Sequence, residues 1–226
     1  MKNTVTFFTL AFISLSGHTC NAQQINANRI KATTMTTTPV KTEKNLLTAQ
    51  ERDYAVQFLK ETESGVFDAV KSLNGERSTF KPAAGKWSVE DCVKHIAAAE
   101  KVLWAMIEES LKQPANPEKR QGIKFTDQQL IKVVEDRSQK SKTFQALEPA
   151  NSNYKTMAEA LASFKEEREK LITFVKSTRE DLRNHVSVLP IGTYDAYQFI
   201  LLISAHSNRH TQQIEEIKAN IDFPKK

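Results

Sequence analysis

The sequence predicts an all-α fold, an antiparallel bundle of four long helices with one extra short helix. Apolar residues recur at three- and four-residue steps over four long segments, which is the period of a helix with one buried face. A Ser or Thr followed three residues later by an acid begins three of these segments, as in a helix capping box. The 226 residues include only 6 Gly and 7 Pro, which argues against a many-stranded β fold. Helices of this kind bury their apolar faces against one another, which makes a bundle.

The first long helix is predicted at residues 48–73, where Asn74 and Gly75 end the pattern. The second begins at Ser88 and ends before Pro114. Their predicted buried faces are Ala55, Phe58, Leu59, Thr62, Val66, Ala69, Val70 and Leu73 in the first helix, and Val89, Cys92, Val93, Ile96, Ala99, Leu103, Met106 and Ile107 in the second.

A shorter helix is predicted at residues 126–137, packed across one end of the bundle, and an irregular loop at residues 138–153. The third long helix begins at Thr156, and Arg168 interrupts its apolar face. A turn at residues 190–193 leads into the fourth. The predicted buried faces are Met157, Leu161, Phe164, Leu171 and Val175 in the third helix, and Phe199, Ile203, His206, His210, Ile214, Ile217 and Ile221 in the fourth.

Residues 1–22 have the order of parts that is typical of a secretory signal peptide. Lys2 supplies a positive start, and residues 5–15 form an apolar run that is too short to span a bilayer. Small residues then favour cleavage after Ala22. This order predicts a periplasmic or secreted protein.

Residues 23–46 are predicted to be a flexible segment because they are rich in Asn, Thr and Lys, and residues 47–226 form the folded domain. Two alternatives to export stay open. Translation from Met35 would keep the chain in the cytoplasm, and a lipid on Cys20 would hold it at a membrane.

Composition bears on the expected partners. The formal charge is +5, but acids and bases are interleaved and no Lys/Arg-rich block carries aromatics, which argues against nucleic acid. After signal removal no membrane partner is expected, which leaves a small-molecule substrate or ligand, with a homodimer as one option for assembly.

If Cys20 is removed, Cys92 is the only cysteine, which excludes a disulfide framework. Cys92 lies in an apolar helical pattern and is expected to be a small buried hydrophobe.

Three histidines lie on inward faces of the predicted helices. His206 and His210 are four residues apart, so both rings leave one face of the fourth helix, one turn apart. His95 lies inward on the second helix. A shared divalent metal would satisfy three buried imidazoles at once, whereas a histidine-lined core without metal is the alternative. His185 lies in a polar stretch and is expected at the surface.

Two segments carry a resemblance to a known family. The segment 86–95, KWSVEDCVKH, resembles the start of the second helix of the DinB-like superfamily. The segment 192–218, with HSNRHTQQI at 206–214, is similar to that family's fourth helix. The resemblance extends over residues 48–219, nearly the whole predicted domain.

The resemblance implies a four-helix bundle that binds one divalent metal, most often zinc or nickel. The family's ligands carry over to His95, His206 and His210. The implied activities are hydrolysis and thiol-using transfer on a small molecule. Three imidazoles leave a coordination position open, as in catalytic rather than structural sites. The alternative is a stress-related module that binds metal or a small ligand without catalysis, so whether the chain is an enzyme stays open.

The catalytic acid or base is not identified by the sequence. Gln213 shares the face of His206 and His210 and is the candidate for orienting a ligand. Glu100 is five residues after His95 and points elsewhere. Tyr194 and Asp195 are expected to line the mouth of the site.

Overall fold

The computed structural model describes residues 46–73, 75–138, 140 and 142–225. The predicted signal peptide, its cleavage site and nearly all of the flexible segment therefore lie outside the described residues. No helix in the described ranges is both long enough and apolar enough to cross a membrane.

The prediction of an all-α four-helix bundle is confirmed. The helices are α1 (Ala49–Val70), α2 (Gly75–Thr79), α3 (Val89–Leu111), α4 (Asp127–Glu135), α5 (Met157–Ser177) and α6 (Ala196–Lys218). Short 3₁₀ turns lie at Pro117–Gly122, Gln145–Leu147 and Pro149–Asn151. A hairpin of β1 (Val186–Leu189) and β2 (Gly192–Asp195) precedes α6.

The predicted capping residues begin the helices. Thr48 and Ser88 form reciprocal capping boxes with Glu51 and Asp91, which satisfies backbone N–H groups that have no partner inside the helix. Thr156 caps α5 by accepting a hydrogen bond from the backbone of Glu159. These contacts explain why α1, α3 and α5 start within one residue of the predicted positions.

Helices α1 and α6 run in the same direction. The Tyr197 hydroxyl donates to the Glu51 carbonyl at 2.8 Å near the start of both helices. The Lys218 ammonium donates to the Ala69 carbonyl at 2.9 Å near the end of both. The two helices therefore pack as a parallel pair.

Helices α3 and α5 also run parallel to each other and opposite to α1 and α6. The Lys94 ammonium donates to the carbonyl of Lys155, just before α5, at 3.1 Å, and the Trp104 and Phe174 rings lie 5.0 Å apart further along. Each long helix consequently has one parallel and one antiparallel neighbour, with two helices in each direction.

Helix α4 lies along α6 instead of across one end of the bundle, so that expectation was wrong. The Gln198 amide donates to the Phe125 carbonyl at 2.8 Å just before α4, and the Asn208 amide donates to Glu135 at 2.8 Å at its end. Leu130 on α4 is buried by this packing. An amphipathic helix can pack against any apolar surface, so its sequence did not specify which one.

The predicted helix faces are mostly buried, with one error. Ile221 was assigned to the buried face of the fourth helix but is 91% exposed. Helix α6 ends at Lys218, where Ala219 caps it, so the apolar pattern continues past the helix itself.

The predicted turn at residues 190–193 is the tip of a β-hairpin. Val186 pairs with Asp195 and Leu189 pairs with Gly192 in an antiparallel register. Gly192 has φ 139°, and a Cβ there would lie 2.5 Å from the Tyr194 hydroxyl oxygen. The position therefore favours glycine on both conformational and steric grounds.

His185 is buried instead of exposed. Its Nδ1 lies 2.9 Å from the Ser110 carbonyl at the end of α3. The polar residues beside it, Asp181 and Asn184, hydrogen-bond to each other, which closes the turn before β1 and directs the imidazole inward. Polar neighbours in sequence therefore did not indicate where this ring points.

Candidate metal centre

The fold brings the three inward histidines together. His95 lies near the start of α3, and His206 and His210 lie one turn apart on the antiparallel helix α6. His95 Nε2 lies 3.1 Å from His206 Nε2, and one nitrogen of each of the three rings lies within 4.8 Å of the others. This grouping agrees with the prediction from the helical spacing.

Two of the rings are oriented by hydrogen bonds on their outer nitrogens. His95 Nδ1 lies 2.8 Å from the Leu147 carbonyl, and His210 Nδ1 lies 3.0 Å from Gln213 Oε1. Because these oxygens only accept hydrogen bonds, each Nδ1 carries the proton and each Nε2 keeps its lone pair, which in His95 faces His206 Nε2. Gln213 thus contacts His210 as its sequence position suggested.

The three imidazoles are held in the neutral form. Burial lowers the pKa of His206 to about 3, and the neighbouring His95 ring contributes to this shift. Burial, followed by the rings of His206 and His95, holds the pKa of His210 well below its ordinary range. Burial also lowers the pKa of His95, against the opposing effect of the Leu147 carbonyl.

Trp87 forms one wall of the histidine cluster. Its ring lies 4.9 Å from the His95 ring and 5.8 Å from the His210 ring, the latter at an interplanar angle of 21°. In the sequence, Trp87 is simply the residue that precedes the Ser88 cap of α3. Its contact with His210 depends on α3 and α6 being neighbours, which the local pattern does not reveal.

The Leu147 carbonyl comes from the segment that the sequence indicated only as an irregular loop. Two consecutive 3₁₀ turns build this part of the loop, and the Asn151 amide donates to the Gln145 carbonyl at 2.8 Å across them. Because a backbone carbonyl has no sequence signature, this partner of His95 could not have been predicted.

A buried ion pair lies next to the cluster. Arg168 is 0% exposed and donates to both oxygens of Glu100 at 2.6 and 2.8 Å. It also donates to the Leu59 carbonyl, the Thr62 hydroxyl and the Ser207 hydroxyl at 2.7 to 2.9 Å. All five guanidinium donors are used, and the contacts join α1, α3, α5 and α6 beside His206.

Asp195 and Tyr194 do not line the site, so that expectation was wrong. Asp195 precedes His206 by 11 residues on α6, which is about 16 Å along a helix. Its carboxylate is buried, caps α6 and pairs with Arg120 at 2.9 Å. The Tyr194 hydroxyl donates to the Ile191 carbonyl. Both residues therefore stabilise the opposite end of α6.

A groove of about 510 Å³ opens beside the histidine cluster and reaches His210 and Gln213. Trp87 forms part of its lining. The remaining lining residues are Pro82, Ala83, Gly85, Lys86, Arg137, Lys140, Arg209, Glu216 and Ile217. A volume of this size accommodates a small molecule.

Comparison with known proteins agrees with this architecture. The model of the DinB superfamily matches residues 59–214, which is more than half of the chain. The chain belongs to the DinB superfamily. The matched range includes all three histidines and Gln213, so the resemblance inferred from two short segments is confirmed.

Two relatives of this DinB-superfamily chain come from Bacillus subtilis. The uncharacterized protein YuaE of strain 168 is 25% identical over 170 residues, which cover 74% of this chain and 99% of YuaE. The structure of YfiT superposes with a TM-score of 0.54 at 15% identity, over 80% of this chain and 93% of YfiT. YfiT is described as "a probable metal-dependent hydrolase with an unusual four-helix bundle topology". At this level of identity the likeness shows a shared fold.

Proposed function

We propose that this chain binds one divalent metal through His95, His206 and His210 and acts as a metal-dependent hydrolase on a small molecule. The observation that carries the proposal is the convergence of three neutral imidazoles whose nitrogens lie within 4.8 Å of one another. The description of YfiT as a probable metal-dependent hydrolase supports the same reading.

The donor set fits a divalent transition metal. Hydrogen bonds to Leu147 and Gln213 leave the Nε2 lone pairs of His95 and His210 available, and this outer contact is the usual device for orienting metal-binding imidazoles. Three imidazoles favour zinc or nickel over magnesium or calcium, which prefer oxygen ligands. Without a metal, the converging nitrogens would be packed together with few hydrogen-bond donors to satisfy them.

A bound divalent metal would supply Lewis-acid chemistry, because it polarises a carbonyl group and acidifies a coordinated water or thiol. The chain's own residues provide the surroundings for this chemistry. Trp87 covers one side of the cluster and limits access of water. Gln213 fixes the His210 ring and also lines the groove through which a substrate would approach.

The competing proposal is a module that binds metal or a small ligand without catalysis. Among the described residues, the group that could hold a metal contains three histidines and no carboxylate. Glu100, the buried acid nearest to them in sequence, is fully committed to Arg168. This group therefore supplies no carboxylate that could act as the base of a hydrolase, whereas a binding module needs no base.

The test begins with elemental analysis of protein purified without a His tag. We expect one zinc or nickel ion per chain in the wild type and loss of that metal in a His206→Ala, His210→Ala variant. His185→Gln is the matched control because His185 is a buried histidine outside the cluster. Unchanged metal content in the double variant would refute the ligand assignment.

Catalysis is tested with metal-loaded and metal-stripped protein on esters, amides and thiol acceptors supplied with small thiols. A hydrolase should release product from an ester or amide only when loaded with metal. Product only in the presence of a thiol would instead identify a transferase. Ligand-dependent stabilisation without any product would favour the binding module.

A further inference from the structure

The groove beside the histidine cluster is rich in positive charge. Four cationic side chains line it, those of Lys86, Arg137, Lys140 and Arg209, against one acid, Glu216. Because the charges lie around a concave surface, their fields add within the groove and attract anions. The charge pattern therefore indicates the kind of molecule that the groove accepts.

The one acid of the groove is already paired. Arg137 donates to the two oxygens of Glu216 at 2.7 and 2.6 Å, and Arg209 donates to the backbone carbonyls of Val134 and Asp136. Glu216 is thus neutralised by a single arginine. Among the described residues, neither Lys86 nor Lys140 forms an ion pair with this acid.

The two lysines are free to hold a ligand. Lys86 and Lys140 are exposed, and within the described ranges neither ammonium group forms an ion pair or hydrogen bond. Lysine ammonium groups bind carboxylate and phosphate oxygens as compact point charges. An anionic group could therefore bind the two ammonium groups without first breaking another of their contacts.

The two lysines line the same groove as does part of the histidine cluster. Lys86 directly precedes Trp87, whose ring packs against His95 and His210. The same groove that both lysines line is also lined by His210 and Gln213. A molecule held at the lysines can therefore extend along the groove to the histidines.

We propose that the groove binds a small carboxylate- or phosphate-bearing molecule, with Lys86 and Lys140 holding its anionic group and its remaining part facing the histidine cluster. This assignment rests on the proposed function for the role of the metal, but the anion site itself depends only on the lysines and the groove.

The experiment measures binding of succinate, inorganic phosphate and neutral succinamide to metal-loaded protein by isothermal titration calorimetry. A Lys86→Gln, Lys140→Gln variant tests the site. A Lys119→Gln, Lys124→Gln variant is the matched control, because it removes the same charge from exposed lysines outside the groove. Direct binding of the anions to the metal would be unaffected by either variant.

We expect succinate or phosphate to bind, and binding to weaken at least roughly tenfold in the groove variant but not in the control. Binding should also weaken as ionic strength rises, whereas succinamide should not bind. A preference for phosphate over succinate would identify a phosphorylated ligand, and the reverse a carboxylate. Equal binding of succinate and succinamide, or an unchanged affinity in the groove variant, would overturn the proposal.

The outcomes for the metal and for the groove are separable. Lysine-dependent anion binding by a chain that holds no metal would sustain the anion site and refute the hydrolase. Metal bound at the histidines without lysine-dependent anion binding would refute the anion site and leave the proposed metal site standing.

Discussion

At the scale of single residues, the Arg168–Glu100 pair shows how a polar interruption of an apolar face becomes part of the core. Both side chains are almost fully buried, and Arg168 reaches groups on all four long helices. A buried charge is tolerated only when it is paired and hydrogen-bonded. The arginine therefore helps to fix the relative positions of the helices that contain His95 and His206.

We expect Arg168→Met to lower the free energy of unfolding by about 3–5 kcal/mol, because it leaves the Glu100 charge buried without its partner. Urea unfolding of the metal-free protein measures this loss. The double variant Arg168→Met, Glu100→Leu should recover a large part of it, since no charge then remains. A single variant as stable as the wild type would show that the pair contributes little.

We also expect the Cys92 thiol to be inert in the folded protein. Cys92 is 0% exposed, and burial raises the pKa of its thiol far above the ordinary range, so little thiolate forms. In a Cys20→Ser variant, in which Cys92 is the remaining thiol, a disulfide reagent should react only when urea unfolds the chain. Rapid labelling in native buffer would contradict this expectation.

At the scale of secondary-structure elements, the 3₁₀ turns around Leu147 give an otherwise irregular loop a defined role. They hold a backbone carbonyl against His95 Nδ1, and the Asn151 amide closes the turns by donating to Gln145. The orientation of one predicted metal ligand thus depends on a loop that contributes no side chain to the histidine cluster.

Asn151→Ala should therefore weaken metal binding roughly tenfold, because partners that orient a metal ligand typically contribute 10–100-fold to affinity. The melting temperature of the metal-free protein should change little, since Asn151 is exposed. Competition with a chelator measures the affinity. Asn153→Ala is the control, as Asn153 lies in the same loop, is exposed, and has no hydrogen bond among the described contacts. Equal affinities in the two variants would exclude a role for the turns.

The helices and the inward positions of the three histidines could be predicted because both follow from local periodicity. Capping boxes gave the starts of α1 and α3, and the inward positions of His206 and His210 follow from their spacing on one helix. Contacts between distant segments could not be predicted in this way. The Leu147 carbonyl and the burial of His185 depend on where loops pack, which no local pattern specifies.

At the scale of the whole molecule, the buried histidines couple folding of the metal-free chain to pH. His206 has its pKa lowered to about 3 in the folded state, against an ordinary value of 6.5 that it regains on unfolding. Between these values the unfolded chain binds more protons than the folded one. Stability therefore falls as the pH drops from 6.5 toward 3.

We expect the melting temperature of metal-free wild-type protein to fall more steeply over this window than that of the His206→Ala, His210→Ala variant. The His185→Gln control should keep the wild-type slope. Differential scanning calorimetry across this pH range gives the slope of melting temperature against pH for each variant. A destabilisation that does not depend on pH shifts the whole curve and leaves its slope unchanged. Parallel slopes in wild type and double variant would show that the cluster does not govern acid sensitivity.

The signal peptide at residues 1–22 stays a prediction. It implies that the native protein begins near Gln23 in the periplasm or outside the cell, because signal peptidase removes the preceding segment. N-terminal sequencing of native protein decides this. A first residue at Met35 would place the chain in the cytoplasm, and a lipid-modified Cys20 would place it on a membrane.

The parallel arrangement of α3 and α5 has an evolutionary consequence. Since both helices run the same way, residues 112–156 must return along the length of the bundle before α5 begins. This return segment carries the Leu147 carbonyl to His95 and places Arg137 and Lys140 in the groove, whereas the histidines lie on α3 and α6. Insertions or substitutions in the return segment can therefore change the lining of the groove while the helices that carry the histidines stay constant. Exchanging this segment between members of the superfamily would therefore alter the proposed binding groove on an unchanged helical scaffold.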